Sequence, residues 1–145
     1  MARKKITTIP FHLVELEDEN YHIIIDSELG NGIPGNWVVD TGASKTVFDV
    51  NQSEQFNFIE IDNTEVQSAG IGEGSIDTKV GKLPYLKIGD IVLENFTAAI
   101  IDMQYINKIY SKFSDFVLVG LIGSDFLVKH DAVINFKKKE IKLYH

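Results

Sequence analysis

Apolar and polar residues alternate along most of the chain, in short segments that are separated by turn residues. This pattern is typical of β-strands and of an all-β domain. Gly30–Asn36 is rich in turn residues and predicts a connection between strands, while Gly89-Asp90 predicts a hairpin turn. The strands expected from the alternation are Tyr21–Asp26, Trp37–Val39, Val80–Ile88, Ile91–Asp102 and Val117–Ile122.

Two segments depart from the alternation. In Met103–Phe113 the apolar residues recur at every third or fourth position, which predicts a short surface helix. A second short helix is expected near residues 124–130, with Ser124 as its N-cap. A hairpin is predicted after it, with Ala132–Phe136 and Glu140–Tyr144 as its strands.

The composition narrows the range of functions. A chain of 145 residues without a linker or repeat predicts one domain, residues 1–145, in which residues 1–8 are a flexible or interface tail. The absence of cysteine excludes disulfides, thiol catalysis and cysteine-ligated zinc, and the four histidines lack metal-ligand spacing. The net charge of −7 argues against nucleic acid as a partner. Because no apolar run suits a signal peptide or a membrane span, we expect a cytoplasmic protein without membrane contact.

The segment WVVDTGAS, Trp37–Ser44, places Asp40 between an apolar strand and a glycine turn. A carboxylate at the end of a buried strand costs free energy unless it is hydrogen-bonded or used in function. A plain turn would also explain Asp-Thr-Gly, because aspartate and glycine are both common turn residues. The apolar strand before Asp40 and the small residues Ala43 and Ser44 after it favour a functional role.

Two further segments of the chain are informative when they are considered together with Trp37–Ser44. Val119–Gly123 carries two apolar residues and a glycine directly before the second predicted helix. Ser68–Ile76 has glycine at alternate positions, as in the tip of a β-hairpin, and lacks the spacing of a nucleotide-binding loop. In their order and spacing, the three segments resemble the retropepsin-like aspartic proteases, the single-domain family that includes retroviral proteases. The resemblance extends over most of the chain from about Tyr21 onward.

The resemblance implies a retropepsin-like closed β-barrel, equivalent to half of a two-lobed acid protease, and a site that needs no metal or other cofactor. It implies that Asp40 is catalytic, that the Thr41 hydroxyls cross-link two active-site loops, and that the Gly42 N–H bonds the carboxylate. The glycine-rich segment would form a flap over bound peptide. The substrate-binding residues implied are Ala43, Ser44, Gly70, Ile71, Gly72, Glu73, Gly74 and Ile122.

The chain departs from the family pattern at three points. Met103–Phe113 and Asn51–Gln67 make it longer than the smallest members. Ser124-Asp125 stands where retroviral enzymes typically have Arg-Asn or Arg-Asp, and Glu73 adds a negative charge to the predicted flap.

Aspartic proteolysis requires two carboxylates that share a proton, whereas this chain has only one Asp-Thr-Gly. The second Asp40 is therefore expected from a second copy, across a two-fold interface. The sequence predicts a homodimeric aspartic endopeptidase that hydrolyses extended peptides through a water activated by both Asp40 carboxylates. The alternative is a catalytically silent protease-fold module that binds peptide, and the intact Asp40 and Gly42 favour the enzyme.

Overall fold

The structure, a computed structural model, describes residues 5–30, 32–61 and 79–145. Within these residues the chain forms eleven strands, two short α-helices and one 3₁₀ turn at Val50–Gln52. The strands are β1 (Ile6–Pro10), β2 (His12–Glu17), β3 (Asn20–Leu29), β4 (Ile33–Val39), β5 (Val47–Asp49), β6 (Ile59–Ile61), β7 (Lys79–Ile88), β8 (Ile91–Ile101), β9 (Leu118–Ile122), β10 (Val133–Asn135) and β11 (Glu140–Tyr144). The helices are α1 (Gln104–Tyr110) and α2 (Ser124–Lys129).

Six strands close into a barrel in the order β3-β4-β9-β5-β8-β7. Closure comes from β7, which returns to β3 and pairs Lys87 with Glu28 and Leu86 with Leu29. β2 extends the sheet beyond β3, and β6 extends it beyond β7. The predicted all-β class and the predicted closed barrel are both confirmed.

A separate three-stranded sheet has the order β1-β11-β10. β1 pairs with β11 from Ile6 opposite Tyr144 to Pro10 opposite Glu140. Residues 6–8 of the predicted tail are therefore part of a paired strand. Residues 1–4 lie outside the described residues.

The barrel core is built around large side chains that are completely buried. Phe48 stacks on Phe58 with ring centroids 4.7 Å apart and lies 6.0 Å from Trp37. The polar end of Trp37 is satisfied, because its Nε1 donates to Ser27 Oγ at 2.7 Å. Burial of each such side chain contributes about 1.5–3 kcal/mol, so the core supplies a stable frame for the loops at its end.

The structure differs from the sequence prediction at the edges of several elements. Ile33–Asn36, predicted as a turn, is the first half of β4 and pairs with β3. Pro34 and Gly35 are uncommon inside strands, so the sequence pattern did not predict this part of β4. Glycine is nevertheless needed at position 35, because a side chain there would collide with Leu29. α1 is shorter than the predicted helix, and Phe113 follows it in a turn with its N–H bonded to the Tyr110 carbonyl.

The start of α2 also corrects the prediction. Its N-cap is Gly123 in an extended conformation, so Ser124 is the first helical residue and not the cap. The predicted hairpin after α2 is present as β10 and β11. The two α-helices of the described residues have seven and six residues, so neither could span a membrane.

Candidate active site

Asp40 lies where two parallel strands of the barrel end together. β4 and β9 pair up to Val39 opposite Ile122, and the Asp40 N–H donates to the Ile122 carbonyl at 2.9 Å. The chain then turns, with the Ala43 N–H bonded to the Asp40 carbonyl at 3.1 Å. The backbone of Asp40 is therefore fixed by the barrel while its side chain is exposed.

The Asp40 carboxylate is held by the glycine of its own motif. The Gly42 N–H donates to Asp40 Oδ1 at 2.9 Å, which is the contact that the family resemblance implies. A Cβ on Gly42 would lie 3.2 Å from the same oxygen, so a side chain would crowd this bond. A backbone N–H that bonds a carboxylate oxygen fixes the orientation of the carboxylate.

The loop after Asp40 is anchored to the start of α2. The Ser124 N–H donates to the Ala43 carbonyl at 2.7 Å, and the Gly123 N–H donates to the Thr46 hydroxyl at 3.0 Å. Thr46 in turn donates from both its N–H and its hydroxyl to the Asp125 carboxylate, at 3.1 and 2.8 Å. The role of Thr46 could not be predicted from the sequence, because Asp125, its partner, lies 79 residues away along the chain.

Gly120 in β9 and Gly123 directly after this strand permit the close approach of the loop. A Cβ on Gly123 would lie 2.6 Å from the Lys45 carbonyl carbon and 2.7 Å from its oxygen. A Cβ on Gly120 would collide with the Trp37 ring and with the Val47 carbonyl. Glycine at positions 120 and 123 is therefore required for the close packing behind Asp40.

Asp40 opens onto a cleft of about 800 Å³. One side is formed by the β2–β3 hairpin, another by α1 and the turn that follows it, and Ile134 and Phe136 approach from the β10 side. The volume lies within the range of ligand-binding clefts, which is about 300–1,000 Å³. The cleft-lining residues are Leu16, Glu17, Asn20, Tyr21, His22, Ile23, Val38, Val39, Asp40, Thr41, Tyr105, Ile106, Ile109, Tyr110, Phe113, Leu121, Ile134 and Phe136.

Tyr110 is the polar residue of α1 that is most deeply set in this cleft. Its hydroxyl lies 2.7 Å from His22 Nδ1, and His22 Nε2 lies 3.2 Å from Asn20 Oδ1. Burial, together with the negative charge of Asp40, raises the pKa of Tyr110 to about 12. Since the phenol therefore keeps its proton, we assign it as the donor to Nδ1 and Nε2–H as the donor to Asn20.

The structure distributes the predicted site residues unevenly around Asp40. Thr41 is exposed and lines the cleft, Ala43 is half-buried and Ser44 is exposed. Ile122, predicted to contact substrate, is 0% exposed in the barrel core, and Leu121 is the residue of this motif that lines the cleft. The predicted flap residues Gly70, Ile71, Gly72, Glu73 and Gly74 lie outside the described residues, so their role remains a prediction.

The described part of the chain contains no group of three His, Asp or Glu side chains that could hold a metal ion. The cleft itself contains the positioned Asp40 carboxylate, with the phenol of Tyr110 and the imidazole of His22 among its lining groups. A carboxylate at a cleft can act as a general acid or base when its proton affinity is matched to the task.

The fold and the Asp-Thr-Gly loop define an acid-protease-type barrel, and comparison with known proteins identifies the family. A model of the family described as aspartyl protease matches residues 24–126, more than half of the chain. The protein belongs to the aspartyl protease family. No curated protein sequence matches the chain.

Solved structures share the fold at low sequence identity. A crystal structure of a retropepsin-like aspartic protease from Rickettsia conorii is similar, with a TM-score of 0.51 and 16% identity over 98% of this chain and 96% of that chain. The retroviral protease-like domain of Ddi1 from Leishmania major has a TM-score of 0.49 and 13% identity over 86% of this chain and 93% of that chain. The Rickettsia structure supports the retropepsin-like fold of this protein.

Proposed function

We propose that the protein is an aspartic endopeptidase that works as a homodimer, with residues 1–145 as one protease domain. The observation that carries the proposal is the Asp40 carboxylate, which is exposed at a cleft and held by the Gly42 N–H at 2.9 Å. Its backbone is locked to β9 through the Ile122 carbonyl. Membership of the aspartyl protease family supports a protease-type activity for this carboxylate.

The dimer follows from the chemistry of the reaction. Two carboxylates about 3 Å apart cannot both ionise, so one stays protonated as the acid and the other acts as the base. The chain has one Asp-Thr-Gly, and an exposed Asp40 at the end of the barrel is open to a second copy. An isologous two-fold contact would bring the two Asp40 side chains together and would allow Thr41 of each copy to bond the other loop.

Each carboxylate has a defined role in the proposed reaction. The ionised Asp40 takes a proton from a water held between the two copies, and this water attacks the scissile carbonyl carbon. The protonated Asp40 gives its proton to the developing oxyanion, which yields a gem-diol. Collapse of the gem-diol breaks the C–N bond: the amine leaves with a proton from the pair, and one gem-diol hydroxyl returns a proton to the pair as the carboxylic acid forms. The substrate would lie extended in the cleft, beside Ala43 and Ser44.

An unbiased peptide library at about pH 4 to 7, where such a pair operates, tests this proposal. The wild type is expected to cleave, whereas Asp40→Asn is expected to lose cleavage while keeping its circular dichroism and melting temperature. Asp115→Asn is the matched control, because Asp115 is exposed and does not line the cleft. Sedimentation should show a dimer at the working concentration.

The same experiment decides between the enzyme and the silent peptide-binding module. A wild type that binds library peptides but cuts none of them across this pH range would establish the module. A protein that stays monomeric, even with a peptide mimic of the tetrahedral intermediate, would contradict the shared-carboxylate mechanism.

A further inference from the structure

Helix α1 forms one wall of the cleft that contains Asp40. The helix and the turn after it contribute side chains to this wall, and further lining residues come from β2 and β3. Phe113 is 46% exposed and Ile109 is half-buried, so both present apolar surface to the open cleft. The α1 side chains that line it are Tyr105, Ile106, Ile109, Tyr110 and, in the following turn, Phe113.

Helix α1 is held against the barrel by a contact between Tyr110 and β3. Tyr110 is 3% exposed, and its hydroxyl reaches across to His22 on β3 at 2.7 Å. The two rings also pack edge to face with centroids 5.6 Å apart. A hydrogen bond and a ring contact between the same two residues fix the position of α1 relative to β3, and both elements line the cleft.

The remaining surface of the cleft is apolar with a negative charge. Leu16, Val38 and Leu121 are among its apolar lining residues, and the acidic residues that line it are Glu17 and Asp40. No lysine or arginine lines the cleft among the described residues. An apolar side chain is stabilised by burial in such a cleft, and an acidic one is repelled.

We infer that α1 is the specificity wall of the proposed protease and that the Tyr110–His22 pair positions this wall to accept a large aliphatic or aromatic side chain of an extended peptide. The inference rests on the proposed function for the identity of the occupant. Asp40 opens onto the same cleft, so a peptide held for attack at Asp40 must place at least one side chain against α1. Aspartate and glutamate are disfavoured at that position.

The first test shortens two side chains of the α1 wall that line the cleft. Ile109→Ala and Phe113→Ala widen the cleft, and Val128→Ala is the control because Val128 is 74% exposed on α2 and does not line the cleft. In a positional-scanning peptide library, we expect both cleft variants to shift the preference at one peptide position towards larger side chains. The ratio of kcat/KM for large over small residues should change on the order of tenfold.

The second test addresses Tyr110 and His22 as positioning residues. Tyr110→Phe and His22→Gln should raise KM and flatten the preference at the same peptide position, with kcat little changed. Because both act through one contact, the double variant should be no more impaired than either single variant. If stability falls while the preference profile stays that of the wild type, the pair is structural only and the positioning role is overturned.

Binding to Asp40→Asn separates this inference from the proposed function. Fluorescein-labelled peptides that differ only at the guest position (Phe, Leu, Ala or Asp) are titrated by anisotropy. If the wild type cleaves no peptide, and the Phe and Leu peptides still bind more tightly than the Ala and Asp peptides, the protease proposal fails and the specificity wall stands. If the wild type cleaves but the α1 variants match Val128→Ala in preference, the specificity wall fails. Tight binding of the Asp peptide, or no binding of any peptide, also overturns it.

Discussion

Thr46 and Asp125 form a two-point hydrogen bond between the active-site loop and the first turn of α2. The Thr46 N–H and hydroxyl donate to the two carboxylate oxygens of Asp125 at 3.1 and 2.8 Å, across 79 residues of chain. The same hydroxyl accepts from the Gly123 N–H at 3.0 Å. Because Thr46 is 1% exposed, these bonds fix the loop that follows Asp40 without help from solvent.

Replacement of Thr46 by valine should therefore destabilise the fold. Thr46→Val keeps the shape of the side chain but leaves the buried Gly123 N–H without its acceptor, at a cost of about 1–3 kcal/mol. Urea unfolding measures this loss. In a double-mutant cycle with Asp125→Asn, the coupling should be about 0.5–3 kcal/mol, as for residues in one hydrogen-bond network. Strictly additive losses would show that the two-point bond contributes nothing to stability.

Gly123→Ala should be among the more harmful glycine substitutions outside the Asp-Thr-Gly motif. The added Cβ would lie 2.6–2.9 Å from backbone atoms of Lys45 and Ala43, and backbone cannot move aside as a flexible side chain can. Overpacking of this kind costs about 1–3 kcal/mol, and we also expect lower proteolytic activity because the loop is displaced.

Gly30→Ala provides the matched control for this change. A Cβ at Gly30 meets nothing within 4 Å, so its effect should stay within about 0.5 kcal/mol. Thermal or urea unfolding of the two variants measures the difference. Equal losses would mean that the close contact behind Asp40 relaxes freely, which would contradict a rigid support for the loop.

The sequence was informative where structure and chemistry are local. The alternation of apolar and polar residues predicted β7, β8 and β9, and the Asp-Thr-Gly segment pointed to Asp40 because strand, turn and carboxylate are contiguous. β5 escaped prediction because three residues cannot show a period. The first half of β4 escaped because Pro34 and Gly35 are poor strand formers.

The supporting contacts of the site could not be predicted from the sequence. Tyr110 and His22 are 88 residues apart, and Met103–Phe113 looked like an ordinary surface helix. That this helix lines the cleft depends on where β8 ends relative to Asp40, which is a property of the closed barrel. Likewise Ile122 and Leu121 are equivalent in the motif, and only the pleat of β9 decides which of them faces the core.

Asp49 is expected to control the position of α1. This carboxylate is 1% exposed, and its Oδ1 accepts from the Asn51 N–H, the Asn51 side-chain amide and the Met103 N–H, at 3.1, 2.8 and 3.1 Å. Asp49→Ala leaves the buried Met103 N–H, directly before α1, without an acceptor. We expect a loss of about 1–3 kcal/mol and a higher KM for cleaved peptides.

Two other variants sharpen the test of Asp49. Asp49→Asn retains an acceptor oxygen at this position and should lose less stability than Asp49→Ala. Asp18→Asn, in the exposed turn between β2 and β3, should be neutral. If urea unfolding gives the same stability for Asp49→Ala and Asp18→Asn, the buried carboxylate does not anchor α1.

The raised pKa of Tyr110 predicts that the stability of the fold decreases at alkaline pH. Burial, aided by the charge of Asp40, raises the pKa of Tyr110 from 10.0 to about 12 in the folded protein. Between these values the unfolded chain has released the phenolic proton while the folded chain still holds it. The contribution of Tyr110 is therefore complete below about pH 10 and is lost as the pH rises towards 12.

Comparison of the wild type with Tyr110→Phe isolates this contribution from other alkaline titrations. The difference in unfolding free energy between the two proteins should shrink from pH 9 to pH 11.5, because phenylalanine has no proton to lose. Asp40→Asn removes the negative charge and should lower the pKa of Tyr110. Tyrosinate absorbance measures this pKa, and the difference between Asp40→Asn and the double variant Asp40→Asn/Tyr110→Phe isolates the signal of Tyr110. An unchanged pKa in Asp40→Asn would mean that burial alone sets it and that the two side chains are not electrostatically coupled across the cleft.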